Sequence, residues 1–204
     1  MLNGLRGAMT RFFTPIAKVL LRLGVSPDAV TITGTLVVVV TALWAFPTGH
    51  LLLGTLVIAF FVLTDSLDGV MARQAGTSGP WGAFLDSTLD RFGDAAIFAG
   101  LVLWFTAGGN DRLSAILALA CLVLGSIVPY ARARAEGLGM TASGGIAERA
   151  DRLALVLVAT AAVGFGAPDV VLTVVLGLLA LASTVTIVQR MTKVHRQAMA
   201  RVTE

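Results

Sequence analysis

Residues 29–46, AVTITGTLVVVVTALWAF, run for eighteen positions without a charge. A helix needs about 20 predominantly apolar residues to cross about 30 Å of hydrocarbon. One such run could be the core helix of a soluble domain, but this one has company. The chain of 204 residues is 56% hydrophobic and 13% charged, with a mean hydropathy of +0.87. A soluble domain has about 25% charged residues, so a water-soluble globule and an intrinsically disordered chain are both excluded.

Turn residues divide the apolar sequence into six candidate spans at about 29–46, 51–72, 82–106, 113–131, 153–167 and 170–188. Pro47, Gly49 and His50 mark the first turn. Gly108, Gly109, Asn110 and Asp111 mark another, and Pro168 and Asp169 a third. A polar loop at 73–81 follows the second span, and a Gly-rich loop covers 137–148. The expected fold is an all-α polytopic membrane protein, a single domain over 1–204 with six transmembrane helices. The lone cysteine, Cys121, lies in an apolar run, so neither a disulfide framework nor a cysteine zinc site is available.

Residues 5–23 are expected to form an amphipathic juxtamembrane helix rather than a signal peptide. Arg11, Lys18 and Arg22 interrupt any continuous apolar region. Phe12, Phe13, Ile16, Val19, Leu20 and Leu23 recur at helical spacing, as in a helix lying in the headgroup layer. Of the 15 basic residues 13 are Arg, and their placement points to a membrane surface rather than to nucleic acid. With six spans, Arg6, Arg11, Lys18, Arg22, Arg73, Arg132, Arg134, Arg149, Arg152 and the basic tail share one side. Only Arg112 falls opposite. The positive-inside rule then makes both termini cytoplasmic.

Acidic residues are scarce, yet five of the 12 fall between Asp65 and Asp94, in or beside two apolar helices. A charge at the centre of a membrane helix costs at least about 2.5–3.5 kcal/mol, so the cluster needs compensation. Asp65 and Asp68 are i,i+3, and Asp86 and Asp90 are i,i+4, so each pair shares a helix face. If the two helices are antiparallel neighbours, the pairs meet at one membrane face. Four carboxylates cannot all ionise there without cations. Hard oxygen ligands suit Mg²⁺, Mn²⁺ or Ca²⁺, and two such ions suit a phosphoryl or phosphatidyl displacement. The competing account is structural ion pairing with Arg73 and Arg91.

The residues spell Asp65-x-x-Asp68-Gly69-x-x-Ala72-Arg73, eight residues, then Gly82-x-x-x-Asp86-x-x-x-Asp90. This resembles the signature of the CDP-alcohol phosphotransferase family at every fixed position. The resemblance implies that Asp65, Asp68, Asp86 and Asp90 hold two Mg²⁺ ions (Mn²⁺ being an alternative). It implies that Asp90 is general base on the acceptor hydroxyl. CDP-diacylglycerol is expected to bind at Asp28, Ala29, Val30, Thr31, Gly69, Arg73, Ser78 and Gly79. Asp94 lies outside the signature and is read as an outlying acid of the site or a helix-packing ion pair.

Leu23-Gly24-Val25-Ser26-Pro27-Asp28-Ala29-Val30-Thr31, Pro129 to Glu136 and Gly145 to Leu153 resemble an actinobacterial branch of that family. The resemblance implies a homodimeric enzyme of the bacterial cell membrane that joins CDP-diacylglycerol to inositol 1-phosphate. The implied acceptor-phosphate ligands are Arg132, Arg149, Arg152 and Arg190. Pro129 and Arg132 depart from that branch, where Ser and Lys are usual. Phosphatidylglycerophosphate synthesis from glycerol 3-phosphate is the near alternative. A cation transporter is the alternative from another class; its intramembrane acids would sit near the midplane between repeats.

Overall fold

The computed structural model describes residues 2–108, 111–146 and 148–202, with side chains from 12 to 201 among them. Every regular element among these residues is helical. The helices are α1 (Leu2–Arg22), α2 (Pro27–Ala45), α3 (Leu51–Thr64), α4 (Ser66–Ala75), α5 (Pro80–Ala107), α6 (Arg112–Gly137), α7 (Arg149–Gly164) and α8 (Val170–Val202). Gly109, Asn110 and Ala147, parts of an expected turn and an expected motif, lie outside the described residues.

Among the described residues, four helical stretches are long and apolar enough to cross a bilayer: Pro27–Ala45, Leu51–Ala75, Arg112–Gly137 and Val170–Arg201. The second joins α3 and α4. Helix α5 is long enough, but Asp90, Arg91 and Asp94 fall inside every eighteen-residue stretch of it. Helix α7 has 16 residues, about 24 Å at 1.5 Å per residue.

Helix boundaries follow local chemistry. Ser26 caps α2, its Oγ accepting from Ala29 N at 3.2 Å, and Pro27 opens the helix where no N–H is needed. Gly76, at φ +68°, ends α4 in the left-handed conformation, and Thr77 N donates to the Ala72 carbonyl. Pro80 then opens α5. The expected loop at 73–81 is therefore shorter, because Arg73 to Ala75 remain helical. The expected second span, 51–72, falls within the candidate span Leu51–Ala75, in which Asp65, at φ −50° and ψ −37°, stands between α3 and α4. Helix α8 continues well past residue 188, since nothing from Gln189 to Val202 is a helix breaker.

The chain divides into two compact units, one from Met1–Thr41 and Leu56–Gly93, the other from Ala42–Thr55 and Asp94–Glu204. In the first, Leu67, Val70 and Met71 on α4 are buried against Phe13 and Ala17 of α1. Burying a side chain such as Met71 contributes about 1.5–3 kcal/mol. Helix α1 leaves Phe12, Ile16, Val19 and Leu23 exposed along one stripe.

In the second unit Phe46, Phe98, Leu101 and Phe105 are fully buried. Gly100 permits this: a Cβ there would stand 2.3 Å from the Ala42 carbonyl oxygen. Helices α6 and α8 pack against each other, with Cys121 buried and its Sγ 3.3 Å from the Leu176 carbonyl.

The segment between α6 and α7 lies along α8, held by a row of donors one turn apart. Arg190 Nε donates to Gly144 O at 3.1 Å and Lys193 Nζ to Ser143 O at 3.1 Å. Gln197 Nε2 donates to Thr141 O at 2.7 Å, and Arg201 reaches the carbonyls of Leu138 and Gly139.

Candidate active site

Helix α4 has two faces. Leu67, Val70 and Met71 point into the apolar cluster, which turns Asp68, Gly69 and Ala72 the other way. Asp65 sits between α3 and α4 with φ −50° and ψ −37°, and its carboxylate does not cap the helix. Across the short turn, Asp86 stands in the second turn of α5. One carboxylate oxygen from each of Asp65, Asp68 and Asp86 lies within 4.8 Å of the others.

Two donors fix Asp68. Thr31 Oγ1 donates to Oδ2 at 2.5 Å, and Gly69 N donates to Oδ1 at 2.5 Å. The Thr31 hydroxyl is also 3.2 Å from the Pro27 carbonyl. It has one proton, and the shorter bond to a charged acceptor takes it. The donor set fits a hard divalent ion. Ligands on opposite sides of one ion are about 4.2 Å apart for Mg²⁺ and nearly 5 Å for Ca²⁺, the span over which these oxygens already converge. Asp90, one turn further along α5, lies outside this group, and Arg91 Nη2 is 3.6 Å from its Oδ2.

Beside the carboxylates is a cleft of about 390 Å³, open to the exterior. Of the residues expected to bind a CDP-lipid, Asp28, Thr31, Gly69, Arg73, Ser78 and Gly79 line it. Ala29 and Val30 do not. Ala29 is exposed at the start of α2, and Val30 packs against the α1–α4 apolar cluster. Gly69 and Gly82 also line the cleft, and no packing demands them. A Cβ at Gly69 would meet only Arg73 Nη1, at 3.5 Å, and one at Gly82 would meet nothing within 4 Å. That removes helix packing as the reason for Gly69, in contrast to Gly100.

Sequence reasoning missed Trp81. Its Nε1 donates to Asp28 Oδ2 at 2.9 Å, joining the starts of α5 and α2 at the cleft. An aromatic residue beside Pro80 reads as an interface anchor, and only its bonding partner reveals more.

The four arginines expected to hold an acceptor phosphate are all in the second unit. Asp94 is 8% exposed and accepts from Arg149 Nε at 3.0 Å, with Arg152 Nη2 3.7 Å away. It is thus a helix-linking ion pair. Arg152, 2% exposed, also donates to the Gly125 carbonyl at 3.4 Å. That carbonyl would ordinarily accept from the N–H of residue 129, which proline lacks; Arg152 fills the place. Arg190 is buried, with Nη1 donating to Val128 O at 2.5 Å. Arg132 pairs with Glu136 one turn on, at 2.8 Å.

Residues 24–186 match the family model of the CDP-alcohol phosphatidyltransferases. A phosphatidylinositol phosphate synthase of Streptomyces avermitilis is 45% identical over 199 residues, covering 95% of this chain and 82% of its own. One from Cutibacterium acnes is 46% identical over 203 residues, covering 96% and 98%. Among solved structures, the Mycobacterium tuberculosis phosphatidylinositol phosphate synthase with CDP-DAG bound superposes with a TM-score of 0.87 at 45% identity. That match covers 90% of this chain and 94% of the other. The same enzyme in complex with manganese and citrate gives 0.86 at 45% identity, covering 89% and 88%. This chain belongs to the CDP-alcohol phosphatidyltransferase family and is a membrane-embedded phospholipid-synthesising transferase.

Proposed function

We propose that this chain transfers the phosphatidyl group of CDP-diacylglycerol to inositol 1-phosphate, forming phosphatidylinositol phosphate and releasing CMP. The observation that carries the reading is the convergence of three carboxylates within 4.8 Å on a cleft that Gly69 and Gly82 leave open. The acceptor rests on relatives of 45–46% identity that are phosphatidylinositol phosphate synthases.

In this reading Asp65, Asp68 and Asp86, with Asp90 nearby, hold two Mg²⁺ ions, Mn²⁺ being an alternative. When bound, these ions supply positive charge against the diphosphate oxygens as CMP departs. The chain's own residues do the rest. Gly69 and Gly82 let the diphosphate approach the backbone, and Arg73 offers a two-pronged guanidinium to a phosphate. Asp28 and Thr31, with Ser78 and Gly79, line the nucleotide's place. Asp90 accepts the proton of the acceptor hydroxyl as its oxygen attacks the phosphorus next to the lipid. Arg132, Arg149, Arg152 and Arg190 are assigned to the acceptor phosphate.

The membrane arrangement belongs to the same proposal: one domain, six spans, both termini cytoplasmic, and a homodimer. It counts α5 and α7 as spans despite the charges of the first and the shortness of the second. Helix α1 is assigned to the headgroup layer. Its exposed Phe12, Ile16, Val19 and Leu23, beside exposed Lys18 and Arg22, support this.

The test is CMP release by purified protein given CDP-diacylglycerol and Mg²⁺ with either acceptor. Turnover with inositol 1-phosphate is expected. Turnover with glycerol 3-phosphate alone overturns the acceptor assignment. Asp90→Asn is expected to abolish release while leaving the melting temperature intact, and near-normal turnover refutes its role as base.

A further inference from the structure

A second cleft, of about 910 Å³, runs along α8 from Thr184 to Gln197, with Thr141 as its opposite wall. At 1.5 Å per residue it is about 20 Å long. Its floor changes character along its length. Val185 and Val188 lie at the apolar end, and Thr192, Lys193 and Arg196 at the other. The change occurs within the candidate span Val170–Arg201, so the cleft crosses from acyl chains toward headgroups.

The cations differ in how they are held. Lys193 is tied to Ser143 O at 3.1 Å. Arg196 is exposed and, among the described residues, makes no hydrogen bond or ion pair. Val188 is 57% exposed, and in a bilayer hydrocarbon covers such a surface favourably. A soluble anion would satisfy Arg196 and leave the valines uncovered. A zwitterionic lipid would set its own cation beside Arg196 and Lys193. An anionic phospholipid satisfies both ends at once.

We propose that this cleft binds an anionic phospholipid, its phosphate at Arg196 and Lys193 and an acyl chain along Val185 and Val188. The proposal uses only the membrane placement of α8 and is independent of which alcohol is the acceptor.

The test is native mass spectrometry of the full-length protein from mixed micelles of phosphatidylglycerol and phosphatidylcholine with equal tails. Wild type is expected to retain phosphatidylglycerol preferentially. Arg196→Ala is expected to cut that preference about fivefold, the effect of one basic residue at an anionic surface. Val188→Trp is expected to reduce retention of both lipids by filling the apolar end. Millimolar inorganic phosphate is expected not to displace the lipid. Continued CMP release by both variants checks that they are folded. Three results overturn the proposal: an unchanged preference in Arg196→Ala, unchanged retention in Val188→Trp, or displacement by phosphate. Disulfide formation between two Val188→Cys chains in bilayers also overturns it, by assigning the surface to a second copy.

Discussion

Replacing Asp86 by Asn is expected to stabilise the chain in chelator and to remove most of its gain from a divalent ion. Three ligand oxygens lie within 4.8 Å of one another. Each ionised pair therefore repels by at least about 0.9 kcal/mol at the dielectric of water and about 3.5 kcal/mol at an effective dielectric near 20. Asn at 86 removes two of the three pairs, so the lower bound on the relief is about 2 kcal/mol. In a chain of this size that raises the melting temperature by roughly 4–8 °C. A divalent ion at a hundred times its dissociation constant stabilises the wild type by about 2.7 kcal/mol, and the variant loses most of that. Thermal unfolding in detergent, first with EDTA and then with Mg²⁺ or Mn²⁺, reads both effects. The variant is expected to melt above the wild type in chelator and to gain less than the wild type from the ion. If it melts below in both, or if both proteins gain equally from the ion, the carboxylates are not held together by a cation.

Gly69→Ala is expected to gain up to about 1 kcal/mol of stability from helix propensity and still lose most CMP release, because the new methyl meets only Arg73 within the chain; a fall in melting temperature refutes this. Asp94→Ala removes a buried carboxylate that Arg149 and Arg152 share and is expected to cost about 3–5 kcal/mol, with Asp94→Leu/Arg152→Met recovering most of it in the same melts. Trp81→Phe deletes the bond to Asp28 and is expected to raise the KM for the CDP-lipid about fivefold, about 1 kcal/mol for such an exposed bond, with the acceptor KM unchanged. At the start of α6, the Ser114 hydroxyl and the N–H groups of Ser114 and Leu113 hold the Asp111 carboxyl below its ordinary range. Since the folded value lies below the unfolded one, the cap stabilises fully above about pH 4 and is lost as pH falls through the lowered value. Asp111→Ala is therefore expected to melt lower at neutral pH, with the gap closing in acid.

What could be read from the sequence was whatever is local. The i,i+3 spacing of Asp65 and Asp68 and the short turn before Asp86 already imply carboxylates on facing helix ends. Asp90 shares a helix with Asp86, but one turn of rise carries it about 6 Å along the axis and out of the group. The end of the last span was drawn where hydrophobicity stops, whereas a helix stops where a breaker or cap stands, so α8 runs on. The pairing of Asp94 with Arg149 and Arg152 spans 55 residues or more and leaves no local trace. The same holds for Trp81 and Asp28, 53 residues apart.

The row of α8 donors on the segment after α6 touches main-chain oxygens at Leu138, Gly139, Thr141, Ser143 and Gly144. Main-chain oxygens are alike whatever side chain they carry. Apart from Gly139, Gly144 and Gly145, whose positive φ favours glycine, residues of that segment are thus free to drift in identity, provided the chain still reaches. The helix has no such freedom. One inserted residue between Arg190 and Arg201 would turn every later donor by about 100° and unzip the segment, so in homologues this stretch of α8 is expected to vary by substitution and never by length.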